Sequence, residues 1–342
     1  MEFTTDNLSN QIDNHKIAAE MRQVLYALLP GIVMMLWFFG WGALSNIILS
    51  ISFALGFEAL MLKLRQRPVL PFLSDYSAIV TATLLALTMP AYAPWWLLLV
   101  ATFFAIVIAK HLYGGLGYNP FNPAMVGYAV VLISFPVDMV NWFTPTAFNM
   151  EQIGLSDTFA LVFKGAANLP KWDAMTMATP LDTLKTGLRM DTPISEINQS
   201  PTFGVLAGKG WEWISLGYLV GGAWLIYRKI ISWHIPTAFL ATLMLISTAF
   251  WLIDSSFYSP PLLHLLAGGT MLGAFFIATD PITASTTPRG KLIYAALIGF
   301  FVYAIRVWGS AYPDGVAFSV LIMNMAVPLI DYYTQPRTFG SN

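Results

Sequence analysis

Residues 261–285 read PLLHLLAGGTMLGAFFIATDPITAS. An apolar run over 261–279 stops at Asp280, and Pro281 follows directly. Proline cannot donate to the helical ladder and its ring clashes with the preceding turn, so a helix cannot run normally through this pair. The carbonyls freed there need partners, and at membrane depth those come only from protein or a water-filled cavity. The stretch therefore reads as a broken helix. Thr279, Asp280, Thr283 and Ser285 supply oxygens there in apolar surroundings, which suits a hard cation such as sodium. Asp280 reads equally well as the cap of a half-helix.

The same punctuation occurs earlier in the chain. ALTMP at 86–90 and GGLGYNPFNPA at 114–124 are matched by IATDP at 277–281 and WGSAYPDGVA at 308–317. Pro90 lies 191 residues before Pro281, and Tyr118 lies 194 before Tyr312. A near-constant offset points to a duplication. Asn119 and Asn122 add amides to the first break.

Composition supplies the solvent. Hydrophobic residues make up 57% of the 342 residues and charged ones 10%. So few charges cannot cover a water-soluble surface, and lipid must face much of the chain. Apolar runs fall at about 24–43, 44–62, 76–90, 95–111, 123–142, 213–228, 236–253, 261–279, 291–308 and 315–333. The expected fold is an all-α polytopic membrane protein of about ten transmembrane helices. They form two five-helix repeats, inverted because the number per repeat is odd, with broken helices near the midplane. The expected divisions are a cytoplasmic segment 1–22, a first repeat 23–142, a periplasmic loop 143–212, a second repeat 213–333 and a cytoplasmic tail 334–342.

Charge sets the orientation. With the N-terminus cytoplasmic, that side receives Lys16, Arg22, Lys63, Arg65, Arg67, Lys110, Arg228, Lys229, Arg289, Lys291 and Arg337. The other side holds Lys164, Lys171, Lys185, Arg189 and Lys209, all in one long loop that counts little. Both termini are thus expected in the cytoplasm, and the membrane is expected to be a bacterial inner membrane. A net charge of −1 suggests no nucleic-acid partner. The chain has no cysteine, which excludes disulfides and thiolate-ligated metal clusters within it. The four histidines are scattered, so no metal site is expected. Within the runs, Glu58 and Lys63 are expected to snorkel at a cytoplasmic end. Asp138 and Arg306 read as interfacial residues.

The long loop carries the sharpest pattern: Asp173-Ala174-Met175-Thr176-Met177-Ala178-Thr179-Pro180. It resembles the site recognised by a periplasmic flavin transferase, which joins FMN through its phosphate to the last threonine. On that resemblance Thr179 is the acceptor, and Asp173, Thr176 and Ala178 fill recognition positions. Met177 stands where glycine is usual. A phosphoester needs an accessible hydroxyl, and Pro180 keeps Thr179 extended. An exposed loop implies a small stability cost for Thr179→Val, within about 0.5 kcal/mol.

With that loop, GGLGYNPFNPA and FIATDPITAS, the whole chain resembles the D subunits of Rnf electron-transport complexes (the RnfD family). It is more distantly similar to the B subunits of sodium-pumping NADH:quinone reductases. The resemblance implies a translocase subunit, incomplete alone, in a complex that moves electrons between ferredoxin and NAD with Na+ or H+ translocation. The implied partners are the other subunits of the complex and the transferase. It also implies a second, noncovalent flavin such as riboflavin within the bundle. No side chain is singled out as catalytic, because the flavin carries the electrons. Asn119, Asn122, Thr279, Asp280 and Thr283 are the candidate ion or second-flavin site. The alternative from the residues alone is a channel or secondary transporter for a small polar solute, which would have no use for a flavin loop.

Overall fold

The structure is a computed structural model that describes residues 5–146, 153–165, 175–309 and 312–335. Helices α1 (Thr5–Phe39) and α2 (Trp41–Leu64) are separated by Gly40, whose positive φ of 60° turns the chain. The short α3 (Val69–Leu73) leads into α4 (Ser77–Thr88). Next come α5 (Trp95–Phe103), continued by a π-helical stretch at Phe104–His111, then α6 (Pro123–Ser134) and α7 (Pro136–Val140). In the expected loop lie strand β1 (Trp142–Phe143), α8 (Leu155–Lys164), strand β2 (Thr176–Met177), α9 (Pro180–Arg189) and α10 (Ile194–Ile197). The remainder comprises α11 (Trp211–Tyr227), α12 (His234–Ile253), α13 (Pro261–Leu266), α14 (Thr270–Leu272) with π-helical Gly273–Ile277, α15 (Pro288–Val307) and α16 (Val316–Thr334).

This is a multi-pass membrane protein. Among the described residues, five helical stretches are long and apolar enough to cross a bilayer: Lys16–Phe39, Trp41–Leu64, His234–Ile253, Pro288–Val307 and Val316–Thr334. The apolar helices Ser77–Thr88, Trp95–His111 and Pro123–Ser134 are shorter. Large apolar side chains point outward along the spans, Trp37, Leu245 and Leu252 among them, as a lipid solvent allows.

Packing pairs the elements across the chain. α1 lies along α11, α2 against α4 and α5, α12 against α15, and α15 against α16, while α6 meets α16. The α1–α11 contact depends on small residues. A Cβ on Gly221 would collide with the Ala27 carbonyl oxygen, and one on Gly217 would stand 2.9 Å from Gly31 Cα. Bare backbone lets these two helices approach, as in other membrane bundles.

Two expectations change. Glu58 does not snorkel: it is buried, and its carboxylate lies 2.9 Å from Lys110 Nζ and 3.0 Å from His111 Nε2. Among the described residues the helices are joined by one two-stranded antiparallel sheet, Trp142 opposite Met177 and Phe143 opposite Thr176. Arg306 is buried near the end of α15, and Asp138 is half-buried on α7.

Candidate functional site

The π-helical Gly273–Ile277 ends where the sequence places its break, and turns run on from Ala278 towards α15. The first break, 112–122, carries Gly114, Gly115 and Gly117 at φ of 130°, 100° and 93°. The two breaks meet. Asn119, Asn122, Thr279 and Asp280 all line one cavity of about 130 Å³, together with Glu20, Ser77 and Lys110 and apolar side chains such as Val80, Leu84 and Phe275. Thr283 is buried beside it.

Most of the oxygens and amides there are occupied by the fold. Asn122 Oδ1 accepts from the Met125 N–H at 3.2 Å, capping α6, while its amide donates to the Ile277 carbonyl at 3.3 Å. The Thr279 hydroxyl donates to the Phe275 carbonyl, and the Thr283 hydroxyl to Asp280 Oδ2. Asp280 Oδ1 accepts from the Ile282 N–H at 3.3 Å. The aspartate thus closes its own turn. Asn119 differs: its amide donates to Phe121, but its buried Oδ1 has no partner. Burying an unsatisfied acceptor is costly, so this oxygen is the one most available to a guest.

Sequence reading missed the residue that joins the breaks. Asn324, buried in α16, accepts from the Asn122 N–H at 3.0 Å and donates to the Thr283 carbonyl and the Tyr294 hydroxyl, each at 3.0 Å. Its signal was present: a single amide within the apolar stretch SVLIMNMAV. It also missed the cluster in the cavity wall. Lys110, which lines the cavity with Ser77, donates to both Glu58 oxygens and to the Ser77 hydroxyl at 2.9 Å. Ser77 in turn donates its N–H and hydroxyl to Asp75, at 2.7 and 2.6 Å. Among the described residues, no three of His, Asp and Glu gather as metal ligands do.

Thr179 lies elsewhere. It is half-buried and extended, with φ −67° and ψ 160°, and it forms the N-cap of α9. Its Oγ1 accepts from the Asp182 N–H at 3.2 Å, and Pro180 takes the first helical position, where a missing N–H costs nothing. Pairing of β2 with β1 pins Thr176, while Ala178 is exposed; Asp173 lies outside the described residues. The residues fit an esterified phosphate. The hydroxyl is on a loop, and a helix N-terminus presents N–H groups and positive dipole to an anion. Asp182 opposes it, although burial raises its carboxyl above the ordinary value, and the cations Arg189 and Lys185 stand nearby.

A second cavity, about 90 Å³, is lined by Met35, Tyr128, Trp142, Trp211, Tyr218 and Asp314, with Gly268 and Gly269 at its edge. Trp142 belongs to the strand that holds β2, and its ring centroid is 4.7 Å from that of Trp211. Arg306 fixes Asp314 at 2.8 Å and donates to the His264 carbonyl at 2.6 Å. Asp314 in turn accepts from the Gly269 N–H at 2.6 Å. Lys185 on α9 donates to the carbonyls of Ile305, at 3.1 Å, and Tyr312.

The chain matches the family model described as NQR2, RnfD, RnfE family over residues 7–340. It is similar to the D subunit of the ion-translocating oxidoreductase complex of Vibrio atlanticus, at 52% identity over 94% of this chain and 94% of that protein. The proteins of the same description from Escherichia fergusonii and Yersinia pseudotuberculosis are each 52% identical over 94% of this chain and 93% of theirs.

Proposed function

Since the chain belongs to the NQR2, RnfD, RnfE family, we propose that it is the D subunit of an Rnf-type ion-translocating electron-transport complex, carrying FMN esterified to Thr179. The observation that carries the flavin reading is the Thr179 hydroxyl at the N-terminus of α9, two residues beyond Met177, whose strand partner Trp142 lines the second cavity. A bound flavin supplies electron transfer there. The chain supplies the tether, the orientation of α9 and the electrostatics. The β1–β2 pair fixes the approach to Thr179, and Lys185 fixes α9 against the end of α15.

The broken-helix cavity is the place for the coupling ion, Na+ or H+, or for a noncovalent flavin, with the free Asn119 Oδ1 and the Asp280 carboxylate as its polar wall. Matching partners in the two halves, α1 with α11 and α6 with α16, support a duplication of five inverted segments. In this reading both termini face the cytoplasm of a bacterial inner membrane, and residues 143–212 face the periplasm. The test is intact mass of the denatured protein from the purified complex. A gain of one FMN less water, lost in Thr179→Val, is expected. An unmodified wild-type mass in cells with an active flavin transferase removes the flavin and favours a solute transporter.

A further inference from the structure

Two helical faces meet at the start of α2 and leave a gap between them. On α2, Trp41, Leu44, Ser45, Ile48 and Leu49 fall at i, i+3, i+4, i+7 and i+8; on α8, Leu155, Thr158, Phe159, Val162 and Phe163 repeat that spacing. Each set is one stripe of a helix, and facing stripes normally interlock at crystal-like density. Here they enclose a gap of about 240 Å³.

The gap offers almost nothing to water. Among the described residues its polar side chains are Ser45 and Thr158, and each donates to its own helix: Ser45 to the Gly42 carbonyl at 2.8 Å, Thr158 to the Gly154 carbonyl at 2.9 Å. A buried water needs two to four polar partners, and an apolar cavity of about 150 Å³ stays dry and accepts benzene. The gap therefore calls for hydrocarbon.

Hydrocarbon is at hand. α2 is a membrane span, and Trp41 and Ile48 are exposed on the same flank. On the α8 side of the gap Leu155, Phe159 and Phe163 are themselves exposed, at 63, 60 and 43%, while Ser156 and Asp157 lie on a polar side. An apolar stripe backed by a polar face marks a helix lying in the membrane interface, and a tryptophan at the end of a span marks the same level. The gap is continuous with the lipid-facing side of α2.

We infer that α8 lies in the membrane interface and that the gap between α8 and α2 holds one acyl chain of a membrane phospholipid. The gap is lined by apolar side chains and opens beside a membrane span, where acyl chains are the abundant apolar occupant. A single chain enters sideways from the bilayer and completes the packing the two stripes lack.

The test uses the complete complex in vesicles of a phospholipid bearing a photoreactive diazirine in its acyl chain. Irradiation should place lipid adducts on residues 41–49 and 155–163, and on Leu245 and Leu252 of α12, which face bulk lipid. Filling the gap by Ser45→Phe or Ile48→Trp should lower the adducts on α8 about tenfold and leave those on α12 unchanged. Independently, brominated acyl chains should quench tryptophan emission less in Trp41→Phe than in wild type. Unchanged α8 adducts in both filled variants, cross-links to a partner protein instead of lipid, or equal quenching in Trp41→Phe would overturn the inference.

Discussion

The side-chain oxygen of Asn324 accepts a hydrogen bond from the backbone N–H of Asn122, 3.0 Å away in space and 202 positions earlier in the chain. The amide of the same side chain donates to the Thr283 carbonyl, so one residue holds both helix breaks at once. Backbone groups released by Pro281 and by the glycine turn are satisfied by asparagine instead of water. That is what permits such breaks inside a bilayer.

Replacing Asn324 with leucine keeps the size and removes every one of these bonds. Buried groups left unpaired cost about 1–3 kcal/mol each, so a loss of about 3 kcal/mol is expected. Thermal unfolding in detergent reads this directly, and an unchanged midpoint would show that the clasp contributes nothing.

The Glu58–Lys110 pair behaves differently from a surface ion pair. Removing one partner, as in Glu58→Leu or Lys110→Met, leaves the other charge buried and should cost about 3–5 kcal/mol. The double variant Glu58→Leu with Lys110→Met should be less damaged than the sum of the two singles. Strict additivity in that cycle would mean the two side chains do not act together.

Thr179→Val should abolish covalent flavin fluorescence in denaturing gels, while Thr179→Ser retains it. Because Thr179 caps α9, the valine variant also loses an N-cap bond, at about 1 kcal/mol. This exceeds what an exposed loop residue would cost. Fluorescence persisting in the valine variant would place the attachment elsewhere. Thr183 and Thr186 should both be replaceable without loss of flavin.

Lys185 gives the loop a response to pH. Burial is the main reason its ammonium is held down, to about 8 from an ordinary value of 10.5, with Arg189 adding and Asp182 opposing. The folded form therefore binds its proton less tightly than the unfolded form. Docking of α9 on α15 should tighten as pH rises from about 8 towards 10.5, and the gain is absent below 8. A spin label at Thr186 should lose mobility between pH 7.5 and 10, and Lys185→Met should erase the change. Equal pH-dependence in both proteins would exclude Lys185 as the source.

Orientation can be read chemically, since the chain has no cysteine of its own. Val205 is 94% exposed in the long loop, and Val205→Cys should react with an impermeant maleimide added outside spheroplasts. Reaction only after the inner membrane is opened would invert the proposed topology.

Local features were the legible ones. The Asp280–Pro281 break and the Thr179–Pro180 junction are each decided by neighbours in the chain, because proline acts on the residue beside it. The pairings were not legible. Glu58 and Lys110 are 52 positions apart, and helical periodicity says which face a residue occupies but not which helix it meets. Asn324 could be noticed as an amide in an apolar run, yet its partners come from two remote breaks. The cap on Thr179 lay within reach of the sequence, since Thr-Pro before a helix is an N-terminal signature, but treating the segment as plain loop concealed it.

The π-helical stretches at Phe104–His111 and Gly273–Ile277 hold one residue of slack each. A wide turn of this kind can migrate along its helix by exchanging one hydrogen bond at a time, so no backbone group need be abandoned in the bilayer. Each step rotates the affected residue by about 100° about the helix axis. The first stretch contains Lys110, and the second ends three residues before Asp280. Both walls of the broken-helix cavity are therefore built in or next to a widened helical turn.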